Sequence, residues 1–185
     1  GETYSIYIDD LDKVYVGTFG AGIGIFDGKV WTSIDSRDGL IEGYIPAISG
    51  ARQKILFGNT NGELSIYNPS QISNKVKITK INTPRESFII NDNTEYENMT
   101  MNIQDAKRMK KKINQKIQVI NGERITFNFN SSAYEGKQKY RYKIPELDNT
   151  WSQTSYSNFI EYIPKQSGNF TFEVQSIDRD LNYSS

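Results

Sequence analysis

Val14-Tyr15-Val16-Gly17-Thr18, followed by Ile25-Phe26, returns as Ile55-Leu56-Phe57-Gly58-Asn59, followed by Ile66-Tyr67. The first copy starts at 14 and the second at 55, and every one of these pairs keeps the same offset of 41 residues. Internal similarity at about 40–45 residues is the period of propeller blades. Each copy reads as strand, Gly-bearing turn, strand, the turns being Gly20-Ala21-Gly22 and Asn61-Gly62. Asp27-Gly28 and Asp38-Gly39 mark further tight turns, where a residue with positive φ is needed.

Closed propellers contain about 4–8 blades, and fewer than two fit into residues 1–70. These residues are therefore expected to be the last blades of a partial β-propeller whose larger part lies upstream of Gly1. Such a fragment leaves strand edges open. It is expected either to pair edge to edge with another copy or to fold the following segment over the exposed strand.

That segment, residues 71–116, reads as a connector. Ile78-Thr79-Lys80-Ile81 resembles one short strand and Asn91-Asp92-Asn93 a turn. Ala106, Met109, Ile113 and Ile117 carry a short helical stripe, with a polar hairpin loop as the alternative. The basic run Lys107-Arg108-Met109-Lys110-Lys111-Lys112 is read as a solvated face, offset by Glu86, Glu95, Glu97 and Asp105.

From Lys116 onward the apolar residues alternate: Ile117 and Val119; Ile125, Phe127 and Phe129; Tyr140, Tyr142 and Ile144; Phe159 to Tyr162; Phe170, Phe172 and Val174. Period-two runs separated by turns predict a fibronectin-III/Ig-like β-sandwich at 117–185. The fold class expected is all-β throughout, in keeping with 12 Tyr and 9 Phe, whose rings pack well on pleated surfaces.

Composition narrows the chemistry. The 22 basic and 22 acidic side chains cancel, which argues against nucleic acid as partner, since such binding draws on neutralised phosphates. The chain has no His and no Cys, which removes His-based triads, thiolate nucleophiles and His or Cys metal sites. Glu135, Glu146 and Glu161 are acid candidates by residue type only, and nothing in their spacing sets two of them across a cleft. No catalytic residue, metal site or cofactor is expected. Asp9, Asp10 and Asp12 lack the spacing and distal Glu of a calcium loop and read as a hairpin turn. Gly20-Ala21-Gly22-Ile23-Gly24 lacks the Lys and the helix of a phosphate loop.

Two resemblances follow. Val14 to Thr18, Ile23 to Gly28, Trp31 and Asp38-Gly39-Leu40 stand in the order of the two-component regulator propeller repeat. The second copy is poorer, with Asn59 for Thr and Asn68-Pro69 for Asp-Gly, as suits a terminal blade. Tyr140-Arg141-Tyr142-Lys143-Ile144, Leu147 to Ser152 with Trp151, Glu161-Tyr162 and Gly168 to Val174 resemble the triple-tyrosine (Y_Y_Y) domain over about residues 117–184. Phe170 departs from that pattern, standing where the family has Tyr; a lost corner hydrogen bond there costs on the order of 1 kcal/mol. Lys165-Gln166-Ser167 and Pro145-Glu146 depart in loops.

The resemblance implies the periplasmic sensor region of a hybrid two-component system. The structural motif residues would be Tyr140, Tyr142, Trp151, Tyr162 and Phe170, with Trp151 in the sandwich core. Tyr15, Phe19, Phe26 and Tyr67 would form inter-blade core. Trp31 would pack between blades or contact ligand. The ligand, a small molecule or oligosaccharide, would bind mainly to upstream blades. The sandwich would pair with its copy in a homodimer and relay orientation to a transmembrane helix beyond Ser185. A non-signalling carbohydrate-binding or adhesion module, or accessory domains of a larger enzyme, are the alternatives.

Overall fold

The computed structural model describes residues 2–51, 53–90, 98–104, 117–132 and 138–184, of which 98–104 by backbone only. The chain is built of strands and forms two compact units. The first comprises Gly1–Ile72 with Arg179–Asn182, the second Ser73–Asp178 with Tyr183–Ser185.

In the first unit β1 (Thr3–Ile8), β2 (Val14–Thr18), β3 (Ile23–Phe26) and β4 (Trp31–Ile34) make a four-stranded antiparallel meander. A second sheet holds β5 (Ala47–Ala51), β6 (Lys54–Gly58) and β7 (Leu64–Tyr67), again antiparallel and in chain order. The strands form where the sequence alternates. Tyr7, Tyr15, Ile25 and Thr32 lie in one cross-strand row, with Ser5, Gly17, Ile23 and Ile34 in the next. Both rows share the face that packs on the second sheet.

There the Ser5 hydroxyl donates to the Ile45 carbonyl at 2.7 Å, and the Tyr7 hydroxyl to the Gly50 carbonyl at 3.1 Å. The Tyr15 ring lies 6.5 Å from both Phe57 and Tyr67. The approach is closest at Gly17, where a Cβ would collide with Ser5 Oγ and the Ile45 carbonyl oxygen. A Gly17→Ala substitution is therefore expected to destabilise this unit by about 1–3 kcal/mol, the range for overpacked interiors, read from urea unfolding.

The second unit is a sandwich of two four-stranded sheets. One has the order β11 (Ile117–Ile120), β10 (Asn98–Gln104), β15 (Gly168–Ile177), β13 (Lys139–Lys143). The other runs β14 (Phe159–Tyr162), β12 (Ile125–Ser131), β8 (Val76–Asn82), β9 (Ser87–Ile89). Pairing is antiparallel except between β10 and β11. The alternating Ile125, Phe127 and Phe129 meet Phe170, Phe172 and Val174 in one buried cluster, completed by Val76, Ile78, Ile81, Ile117, Val119, Tyr140 and Ile144. Phe127 and Phe172 stack at 3.9 Å with their planes 3° apart.

The observed boundary at Ile72/Ser73 falls close to the one expected at 70, whereas the expected boundary at 117 is corrected by these pairings. Among the described residues of 71–116 there is no separate connector domain: β8, β9 and β10 are sandwich strands, and β8 is central in its sheet. A register shift opposite Asn128/Phe129 lets Ile78 and Ile81, three positions apart, both reach the core. Of the predicted helical stripe, Ala106, Met109 and Ile113 lie outside the described residues, as does the basic run at 107–112, while Ile117 opens β11.

Candidate functional site

The repeat places matching residues on opposite sides of the first unit. Tyr15, Ile23 and Ile25, buried where the first sheet grips the second, correspond at the 41-residue offset to Leu56, Leu64 and Ile66. Those three point away from the first sheet, with Leu64 71% and Ile66 63% exposed. Conversely, Ile55, Phe57 and Tyr67, on the gripped face of the second sheet, correspond to Val14, Val16 and Phe26 on the far face of the first. Beside Val16 stands Ile6, 66% exposed, as Ile48 stands beside Phe57.

Trp31 belongs to this far face. It pairs with Phe26 across β3 and β4, stacks on that ring at 4.8 Å, and lies over Gly24 with half its surface exposed. Of the four residues expected as inter-blade core, Tyr15 and Tyr67 face the sheet contact and Phe26 the far face. Phe19 is the correction: it is exposed, stacks on Tyr4 and lies tilted against Tyr44 in a surface aromatic cluster beyond the end of β2.

The charged centre of the first unit is Asp180, 6% exposed. Its carboxylate accepts from the Tyr67 hydroxyl at 2.7 Å, the Ser70 amide at 2.8 Å and the Ser70 hydroxyl at 2.5 Å. Arg179 Nε lies 3.1 Å from it, and the same guanidinium reaches Asp38 at 3.3 Å. The backbone is held too: Thr32 donates to the Arg179 carbonyl at 2.9 Å, Lys13 to that of Asp180 at 3.2 Å, and Asn182 to that of Ser70 at 2.9 Å. Burial pushes the Asp180 pKa up, but the Ser70 and Tyr67 hydrogen bonds and the Arg179 charge outweigh it and hold the carboxyl below its usual range. Burial, then Asp180, raises that of Tyr67. Arg179 and Asp180 thus tie residues of the first unit together.

Asp9 closes the β1–β2 turn, accepting from the Leu11 and Lys13 amides and from the Tyr15 hydroxyl. Among the described residues no group of three acidic side chains could hold a metal ion. Glu146 accepts from the Thr171 amide and hydroxyl, and Glu161 pairs with Arg124 at 3.2 Å. The structure does not bring these two together, and Glu135 lies outside the described residues. No helix among the described residues is long and apolar enough to cross a membrane.

In the sandwich Tyr140 and Phe170 are buried in the core, with Tyr142 and Tyr162 packed against it. Trp151 is a correction. Tyr140 and Tyr142 turn inward, so Arg141 and Lys143 turn outward, and Trp151 lies beside them at 4.9 Å from each cation. Arg141 also faces the Tyr183 ring at 5.0 Å and donates to Gln175. The motif residues thus split between the two sides of β13.

Residues 131–185 match the Y_Y_Y domain. No curated protein matches the chain. In fold, the chain is similar over 99% of its length to the extracellular domain of what is described as the hybrid two component system BT3049 from B. thetaiotaomicron, at 20% identity and a TM-score of 0.52. A second likeness, to the extracellular domain described as the one component system BT4673 from the same organism, has 17% identity, a TM-score of 0.40 and all of this chain covered. The chain spans about a quarter of the length of these structures, 25% and 28%.

Proposed function

We propose that this chain is a non-catalytic, extracytoplasmic part of a ligand-responsive two-component sensor. The first unit forms the last blades of a propeller, and the Y_Y_Y sandwich relays its state toward the membrane. The observation that carries the reading is the Y_Y_Y match at 131–185 in a chain whose fold resembles the BT3049 extracellular domain over 99% of its length. The two meander sheets, packed front to back through opposite faces of a 41-residue repeat, support the propeller part.

The ligand is a small molecule or oligosaccharide bound mainly by further blades, and the relay is a ligand-biased shift between two arrangements of a homodimer. Trp31 shares its face with Phe26 and Ile6, which favours packing against a neighbouring sheet over ligand contact. The test is the coding sequence beyond Ser185. An apolar run of about 20 residues followed by a kinase or DNA-binding region is expected. A catalytic domain, or a polar linker and a stop, would overturn the sensor reading in favour of an accessory or adhesion module.

A further inference from the structure

β15 runs to Ile177, which is fully buried, and the chain then makes a short excursion. Of the five residues Asp178 to Asn182, Arg179–Asn182 belong to the first unit, and with Tyr183 the chain is back in the second. The two arms of this hairpin are joined within the sandwich. Ile177 pairs antiparallel with Tyr183. The Ser184 amide donates to the Ser176 carbonyl at 2.9 Å, the Ser176 amide to the Ser184 hydroxyl at 3.0 Å, and Gln175 Nε2 to the Ser184 carbonyl at 2.9 Å. Ser176 and Ser184 are both buried. The tip is held as closely in the first unit, by residues of both its sheets. Thr32 of β4 donates to the Arg179 carbonyl, and Tyr67 of β7, with Ser70 beyond it, to the Asp180 carboxylate. Leu181 is buried at a φ of 65°, which a non-glycine residue keeps only where its surroundings dictate it. So short a hairpin has no slack, because five residues fixed at both ends leave little length to take up a displacement.

We infer that the hairpin at 177–184 is a coupling element built into the chain. A change in how the two sheets of the first unit hold its tip alters the pairing of its arms in the sandwich, and the reverse. The two states are a seated tip with paired arms and a released tip with parted arms. Local openings of this kind cost less than global unfolding, and a coupling between two sites acts equally in both directions. The two sites here are the Asp180 carboxylate with its donors and the Ser176–Ser184 pair. The coupling itself rests on the fold. Only its use, in passing a ligand-biased state from the first unit to the sandwich, rests on the sensor reading.

The test is amide hydrogen exchange of the 185-residue chain, read residue by residue by NMR under conditions where the protein is folded. Asp180→Ala loosens the tip and Ser184→Ala the arms. Asp180→Ala should speed exchange at the Ser176 and Ser184 amides by about tenfold, while the Phe127 amide, in the other sheet of the sandwich, keeps its wild-type rate. Ser184→Ala should speed exchange at the Ser70 amide, which donates to Asp180 in the first unit, by a similar factor. Asp180→Asn keeps an acceptor for Ser70 and should act in the same direction, should the alanine variant fail to fold. Unchanged exchange at Ser176 and Ser184 in the tip variants, an unchanged Ser70 amide in the arm variant, or acceleration spread evenly over the sandwich would overturn the inference. Each of those results would leave the sensor reading standing. A downstream sequence without a membrane span would end that reading and leave the coupling intact.

Discussion

Phe172→Ala is expected to cost about 3–5 kcal/mol, as removal of a large ring from a closed core does. Phe172 is fully buried, stacks on Phe127 of the facing sheet at 3.9 Å and lies 5.4 Å from Tyr142 on its own sheet. The ring joins the two sheets and packs beside a neighbouring strand, so the void left by Ala has rigid walls on several sides and collapses poorly. A small sandwich has only about 5–15 kcal/mol in hand, so the loss should be visible as a sharply lowered urea midpoint for this unit. A shift below about 1 kcal/mol would mean that the core is not organised around the Phe127–Phe172 pair.

Asp180→Ala should destabilise the first unit by about 1–3 kcal/mol, since it strands partly buried donors that lose a charged acceptor. The Tyr67 hydroxyl and both Ser70 donors lose their acceptor, while Arg179 keeps Asp38. The same carboxylate sets an acid limit. Its folded-state pKa lies below the ordinary value near 3.9, so folding favours the ionised form. That stabilisation is complete above the unfolded pKa and is lost as pH falls through the folded one. The wild type should therefore weaken below about pH 4, and Asp180→Ala should remove part of that slope. An unchanged slope in urea melts taken at falling pH would show that other carboxylates govern acid unfolding.

The sequence was legible where burial follows a local period. Ile125, Phe127 and Phe129, and later Phe170, Phe172 and Val174, alternate strictly, and all six are in the core. The 41-residue offset likewise found the two meander sheets. Reading failed where local pattern and burial part company. The register shift beside β8 breaks the period, so Ile78 and Ile81 looked like a fragment of connector. Trp151 looked like a core plug because its place in the motif is fixed, yet it lies beside two cations on the outer side of β13. Asp180 sits in a charged triplet that reads as a surface turn, and its burial depends on Ser70, 110 residues earlier in the chain. The exposed sheet faces were present in the repeat itself: asking which side of each copy the offset positions occupy would have revealed that Leu64 and Ile66 cannot face the same neighbour as Ile23 and Ile25.

The placement of Arg179–Asn182 in the first unit has a consequence for biosynthesis. Synthesis runs from the N-terminus at roughly 5–20 residues per second, so residues 1–72 leave the ribosome well before the piece that completes them. Until then Tyr67 and Ser70 have no carboxylate to bind, and the nascent unit is left with apolar surface and an unfinished polar centre. It is in this interval that a chaperone would find it. For the same reason, a fragment cut at residue 72 on the evidence of the repeat would carry every strand of the first unit and still be incomplete.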